Sequence, residues 1–100
     1  MTQKRVALVT GASAGIGRSA ALALLRDGYH VALVARRNDE LEKTAAAAKD
    51  RAMVLAGDIT KPEFVREVFS KVKTTWGRLD VLFNNAGMGA PAMPRAMAGG

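Results

Sequence analysis

The feature of this sequence that most constrains its fold is a set of three glycines directly after a short apolar segment. The apolar residues are 6–9, and the glycines are Gly11, Gly15 and Gly17. Glycine reaches positive φ at low cost and has no Cβ to keep a ligand away from the backbone. A strand that enters such a turn and then a helix presents backbone N–H groups and the positive end of the helix dipole to an anion. The pattern therefore predicts a phosphate site at this turn.

The spacing of the glycines distinguishes this turn from two other phosphate-binding motifs. It is G-x-x-x-G-x-G, whereas the commoner dinucleotide motif is G-x-G-x-x-G and the P-loop is G-x-x-x-x-G-K-[ST]. Arg18 and Ser19 follow Gly17, so the P-loop lysine is missing. These differences argue against an ATPase or a GTPase. The alternative for the motif itself is a glycine-rich turn that binds no ligand.

Strand and helix patterns alternate along the chain. Strands are predicted at residues 5–10, 30–35, 52–56 and 81–83, and helices at residues 16–27, 40–49 and 61–76. Continuous apolar strands with short connections are typical of a parallel sheet with right-handed crossovers. We therefore predict an α/β fold, a partial doubly wound, Rossmann-like parallel sheet of strand order 3-2-1-4, within residues 1–87.

Polar residues and glycines predict where the helices begin and end. Asn38 or Asp39 is expected to cap the second helix, and Thr60 the third. Gly28 and Gly77 are expected to end the first and third helices. Residues 88–100 are rich in Ala, Gly and Pro and show no helix or strand period, which predicts a disordered tail.

Composition and charge exclude several classes of function. The chain has 100 residues, a net charge of +6 and no cysteine, which excludes disulfides, a thiolate nucleophile and a cysteine-based metal site. The basic residues are scattered without interleaved aromatic side chains, so nucleic-acid binding is not expected. The apolar segments are too short for a signal peptide or a membrane span, which favours the cytoplasm. The single histidine, His30, is expected at the surface or at a sheet edge.

Two motifs on matching elements make the chain resemble the short-chain dehydrogenase/reductase family. They are TGASAGIG at positions 10–17 and NNAG at positions 84–87, with a Gly-Asp pair at 57–58 between them. The resemblance extends over about residues 5–87, the N-terminal part of a family domain. It implies a dinucleotide site that includes Gly11, Ser13, Gly15, Ile16, Gly17, Asp58, Ile59, Asn85, Ala86 and Gly87.

The resemblance also implies a role for each part of that site. The glycine turn would hold the pyrophosphate, with Ser13 and Ile16 lining it. Asp58 would contact the adenine amino group, and Ile59 would pack near the ring. Residues 85–87 would lie beside the ribose next to the nicotinamide. The alternatives are that Asp58 is a helix cap or turn residue and that the asparagines at 84–85 form a turn without a ligand.

The residues after the second strand indicate which dinucleotide is bound. A site that prefers NAD carries Asp or Glu at the end of this strand, ~20 residues past the glycines, where it binds the ribose hydroxyls. Here Arg36 lies 19 residues after Gly17 and is followed by Arg37. Arginine binds phosphate through paired donors. We therefore expect NADP(H) rather than NAD, with Arg36 as the main ligand of the 2′-phosphate. The alternative is a solvated pair on a loop.

The sequence departs from the family at the residues that carry its chemistry. The family's proton donor is a Tyr four residues before a Lys, but the single tyrosine, Tyr29, has Leu33 at that distance. Such proton transfer contributes about 10²–10⁴ in rate. We therefore predict an NADP(H)-binding N-terminal fragment that is inactive alone, from a parent that reduces carbonyls or oxidises alcohols. The alternative is a non-catalytic module that binds a nucleotide or a partner. Self-association through an exposed sheet edge is also expected.

Overall fold

A computed structural model describes residues 4–84 of the chain. Strands and helices alternate in it: β1 (Val6–Thr10), α1 (Gly15–Arg26), β2 (His30–Ala35), α2 (Asn38–Ala45), β3 (Ala52–Ala56), α3 (Pro62–Trp76) and β4 (Val81–Phe83). The predicted site residues Asn85, Ala86 and Gly87 lie outside the described residues, as does the predicted tail. The division of the chain at residue 87 therefore stays a prediction.

The four strands form one parallel sheet in the order β3-β2-β1-β4. In the centre of the sheet, Ala7 of β1 lies between Val31 of β2 and Val81 of β4. Parallel neighbours must be joined by long crossovers, which the helices provide here. The predicted fold class and strand order are confirmed. All four strands run the same way, so their C-terminal ends lie along one side of the sheet, called here the carboxyl edge.

Helices cover both faces of the sheet, but not equally. Leu25 of α1 and Leu41 of α2 are buried against one face of the sheet. Val68 and Phe69 of α3 are buried against the other face, where α3 is the only described helix. Successive strand residues point to opposite faces, which explains why every residue of β1 is buried. The predicted apolar stripe of the third helix is confirmed.

All three helices differ from their predicted bounds, and α3 differs least, because it begins at Pro62 instead of residue 61. α1 begins at Gly15, one residue earlier than predicted, and ends at Arg26. α2 spans Asn38–Ala45 instead of residues 40–49. Beyond it, the N–H groups of Ala47 and Ala48 bond to carbonyls three residues earlier, so the chain tightens into turns. The alanines after Ala45 favour a helix locally, but the chain must turn there to enter β3.

The predicted helix caps at Asn38, Asp39 and Thr60 are wrong. The N-cap residues are Arg37 for α2 and Lys61 for α3, and neither makes a capping hydrogen bond through its side chain. Both have extended backbone conformations, which suit the entry to a helix without supplying an acceptor. The two predicted helix-ending glycines, at 28 and 77, do follow α1 and α3 and have positive φ.

His30 is not at a sheet edge, so that one of its two predicted positions is wrong. It begins β2, which lies between β1 and β3, and its side chain is partly buried. Its ring meets Trp76 of α3 edge to face, with ring centroids 5.5 Å apart. Its Nδ1 atom is buried without a hydrogen-bond partner in the described part of the chain. Burial lowers the pKa of His30, and the charges of Lys4 and Arg51 act in the same direction.

Candidate functional site

A cleft of about 360 Å³ opens at the carboxyl edge of the sheet, beside the ends of β1, β2 and β3. It is lined by Thr10, Gly11, Ser13, Val34, Ala35, Arg36, Arg37, Gly57, Ile59 and Thr60. Two larger grooves, of about 670 and 470 Å³, lie along α3 and between α1 and the end of α2. Neither contains a predicted site residue. Ligands of open α/β sheets bind outside the carboxyl ends of the strands, so the smaller cleft is the candidate site.

The backbone of the glycine turn suits an anion. Gly11 and Gly15 have φ values of 65° and 60°, in the left-handed region that favours glycine. Apart from Gly15 itself, its two chain neighbours and the adjoining backbone of α1, no described atom lies within 4 Å of the position that a Cβ on Gly15 would take. α1 begins without a side-chain cap and without an acidic residue in its first turn. The first N–H groups of α1, which lack partners within the helix, therefore face no competing carboxylate from their own turn.

A buried threonine of α2 fixes the glycine turn in place. Thr44 is fully buried, and its Oγ1 donates a hydrogen bond of 3.2 Å to the carbonyl oxygen of Ala12. The N–H of Ala12 donates to the carbonyl oxygen of Val34 in β2 at 3.1 Å. Thr44 was not among the residues predicted from the sequence. Its role could have been predicted from its position beside Leu41 and Ala45 on the buried side of α2, because a buried hydroxyl needs a hydrogen-bond partner.

A second threonine joins β1 to the end of β4. Thr10, the last residue of β1, is buried and donates from Oγ1 to Oδ1 of Asn84 at 2.9 Å. This bond fixes the position at which the chain leaves β4. The next residues are Asn85, Ala86 and Gly87, whose predicted contact with the ribose lies outside the described residues.

Arg36 and Asp58 form an ion pair between the ends of β2 and β3. Nη2 of Arg36 lies 3.4 Å from Oδ1 of Asp58, and the two side chains are 70% and 36% exposed. The same Oδ1 accepts hydrogen bonds of 2.6 Å from the hydroxyl and 2.9 Å from the N–H of Thr60. These bonds from Thr60, assisted by the charge of Arg36, hold the pKa of Asp58 below its usual range. Asp58 is therefore an ionised turn residue beside the cleft.

The remaining predicted residues lie in different places: some line the cleft, Gly17 is buried in α1, and Ile16 is at the surface. Ser13, Ile59 and Arg37 line the cleft. Nε of Arg37 lies 3.9 Å from Oδ1 of Asp39, a loose pair of two exposed side chains. Ile16 does not line the cleft; it is 70% exposed, the largest exposed apolar side chain of the described residues. Its predicted contact at the turn stays a prediction.

The described residues contain no alternative metal centre or membrane segment. Residues 4–84 include no cluster of His, Asp and Glu side chains arranged to hold a metal ion. None of the helices in this range combines the length and the apolar character needed to cross a bilayer.

Comparisons with known proteins agree with the fold. A family model described as short chain dehydrogenase matches residues 5–98. An uncharacterized oxidoreductase of Staphylococcus aureus is 39% identical over 84 residues, which cover 83% of this chain and 36% of the relative.

Solved structures are similar over the same region. L-sorbose reductase from Gluconobacter frateurii, complexed with NADPH and L-sorbose, is 38% identical with a TM-score of 0.79, over 87% of this chain and 35% of that protein. An alcohol dehydrogenase from Thermococcus sibiricus, complexed with 5-hydroxy-NADP, is 43% identical with a TM-score of 0.79, over 87% and 39%. The chain thus spans between a third and two fifths of the length of these proteins. This chain belongs to the short-chain dehydrogenase family and corresponds to the N-terminal region of the family's Rossmann-like oxidoreductase fold.

Proposed function

We propose that this chain binds NADP(H) and is the cofactor-binding N-terminal part of a short-chain dehydrogenase/reductase. The observation that carries the proposal is the position of Arg36 and Arg37 at the end of β2, in the cleft that begins at Gly11. An NAD site has a carboxylate at this strand end. Two guanidinium groups instead favour a ribose that carries a 2′-phosphate.

The residues that line the cleft support the binding of such a dinucleotide. Gly11 and Ser13 line it at the glycine turn, and Arg36 lines it at the end of β2. One molecule can therefore place its pyrophosphate at the turn and its 2′-phosphate at the arginines. Ile59 and Gly57 supply an apolar wall after β3, where an adenine ring would pack. Two of the similar structures were solved with NADPH or 5-hydroxy-NADP, which supports the same cofactor here.

The residues of this chain would bind and orient the cofactor. The bound nicotinamide would exchange a hydride with a carbonyl or an alcohol, the reaction proposed for the parent enzyme. Tyr29 does not fit the role of proton donor. It precedes β2 at the end of the sheet opposite the cleft, and the guanidinium of Arg5 lies 4.5 Å from the centre of its ring. The proposed function of these 100 residues is therefore cofactor binding without turnover.

Removing one guanidinium tests the proposal. Arg36→Ala should weaken NADPH binding about tenfold to a hundredfold, since charge-assisted hydrogen bonds contribute about 1.5–3 kcal/mol. NADH binding should change little, because NADH has no 2′-phosphate. Arg66→Ala, on the exposed side of α3, removes the same charge away from the cleft and is the matched control. Calorimetric titration measures both affinities. An unchanged NADPH affinity, or an equal loss for both cofactors, would contradict the proposal.

A further inference from the structure

We propose that Asp58 is a positioning residue that sets the strength of the preference for the 2′-phosphate. Without cofactor it pairs with the guanidinium of Arg36, and it must yield that guanidinium to the phosphate when NADP(H) binds. The inference rests on the proposed function and adds a residue that opposes the preference. Its charge would then limit how much tighter NADPH binds than NADH.

The carboxylate of Asp58 is held in place, whereas the guanidinium of Arg36 can move. Oδ1 of Asp58 is held by the two short hydrogen bonds from Thr60. The contact with Arg36 is longer, at 3.4 Å, and the Arg36 side chain is 70% exposed. Exposed ion pairs of this kind contribute little. A phosphate can therefore draw Arg36 away, but Asp58 stays where it is.

The negative charge of Asp58 stays beside the cleft when Arg36 moves to the phosphate. Gly57, Ile59 and Thr60, the neighbours of Asp58, line the cleft together with Arg36. A 2′-phosphate bound by Arg36 would therefore lie near a fixed negative charge. Like charges repel, and Arg36 gives up an existing partner to bind the phosphate. Both effects weaken NADP(H) binding, and neither acts on NAD(H), which has no 2′-phosphate.

The variant Asp58→Asn isolates this charge. It keeps an oxygen that accepts from Thr60 and from an adenine amino group, but it is neutral. We expect the ratio of the NADH dissociation constant to the NADPH dissociation constant to rise about two- to fivefold, the range of an exposed ion pair. A change in adenine binding would shift both dissociation constants together and leave their ratio unchanged.

The experiment measures both dissociation constants for the full chain by calorimetry at one fixed ionic strength. The variants are Asp58→Asn, Arg36→Ala and the double variant. The rise in the ratio should be smaller in the Arg36→Ala background, because the competition for Arg36 is then gone and only the repulsion between Asp58 and the phosphate remains. Asp50→Asn removes the same charge from an exposed side chain before β3 and should leave the ratio unchanged. Asp58→Glu, which keeps the charge, should return the ratio toward the wild-type value.

The outcomes separate this inference from the proposed function. If wild type does not prefer NADPH, the proposed function fails. If wild type prefers NADPH and Arg36→Ala abolishes the preference, but Asp58→Asn leaves the ratio unchanged or lowers it, the inference alone is overturned. A rise that is equally large without Arg36 would also overturn it, because it would show that Asp58 does not compete for that guanidinium. If Asp58→Asn does not fold, Asp58→Ser keeps an acceptor for the N–H of Thr60 and decides the same question.

Discussion

At the scale of single residues, Thr44 connects the packing of α2 to the glycine turn. Its hydroxyl bonds to the carbonyl oxygen of Ala12 in a fully buried position. Thr44→Val keeps the shape but removes the donor, so a buried carbonyl loses a partner. We expect the free energy of unfolding to fall by about 1–3 kcal/mol in urea denaturation. Thr44→Ser, which keeps the hydroxyl, is the control. A valine variant as stable as wild type would show that this bond contributes nothing.

The role of a residue was predictable where it depends only on the conformation of the backbone at that residue. Gly11 and Gly15 have the positive φ that their motif implies. The partner of Arg36 was not predictable, because Asp58 lies 22 positions later and meets it only through the pairing of β2 with β3. Thr60 was also misassigned as a cap. Its hydroxyl donates backwards to Asp58, a choice between two turn geometries that residue type does not decide.

At the scale of elements, His30 joins the start of β2 to the end of α3. The free energy of unfolding should depend on pH because of this residue. Burial is the main cause of the lowered pKa of His30 in the folded chain. The unfolded chain, with an ordinary histidine pKa of about 6.5, therefore binds the proton more readily. The free energy of unfolding should be highest above pH ~6.5 and should fall as the pH drops below it.

Urea denaturation at pH 7.5 and pH 5.5 measures this dependence on pH. His30→Gln should reduce the difference between the two values, because the titrating group is gone. Asp58 and Asp80 also have lowered pKa values, so they lose their charge only at more acidic pH. A pH dependence equal in wild type and His30→Gln would assign the effect to other groups.

Most helices and strands were predictable because the apolar residues repeat with the period of each element and the glycines mark the turns between elements. The bounds of β2, β3 and β4 match the prediction. The end of α2 was not predictable from propensity, since alanines 46–48 favour a helix. Tertiary structure decides it: α2 packs on the sheet through Leu41 and Ala45, and the chain must then turn to place β3 beside β2.

At the scale of the whole molecule, we expect the purified chain to self-associate. Among the described residues, only α3 covers the second face of the sheet, and β4 has a strand neighbour on one side only. The three residues of β4 are apolar and partly exposed. Exposed apolar surface and an uncharged strand edge both promote association.

Light scattering together with hydrogen exchange tests this expectation. The net charge of +6 opposes association, so added salt should increase it. We also expect the amides of β4 to exchange faster than those of β1, which pairs on both sides. A monodisperse monomer at high salt, with strong protection in all four strands, would contradict this account of the fold.

We propose that the cleft at the carboxyl edge selects NADP(H) through the arginines that follow β2. The most direct measurement is the pair of dissociation constants of the wild-type chain for NADPH and NADH, at one ionic strength and one pH. We expect NADPH to bind about tenfold to a hundredfold more tightly than NADH. Equal affinities, or tighter binding of NADH, would contradict it.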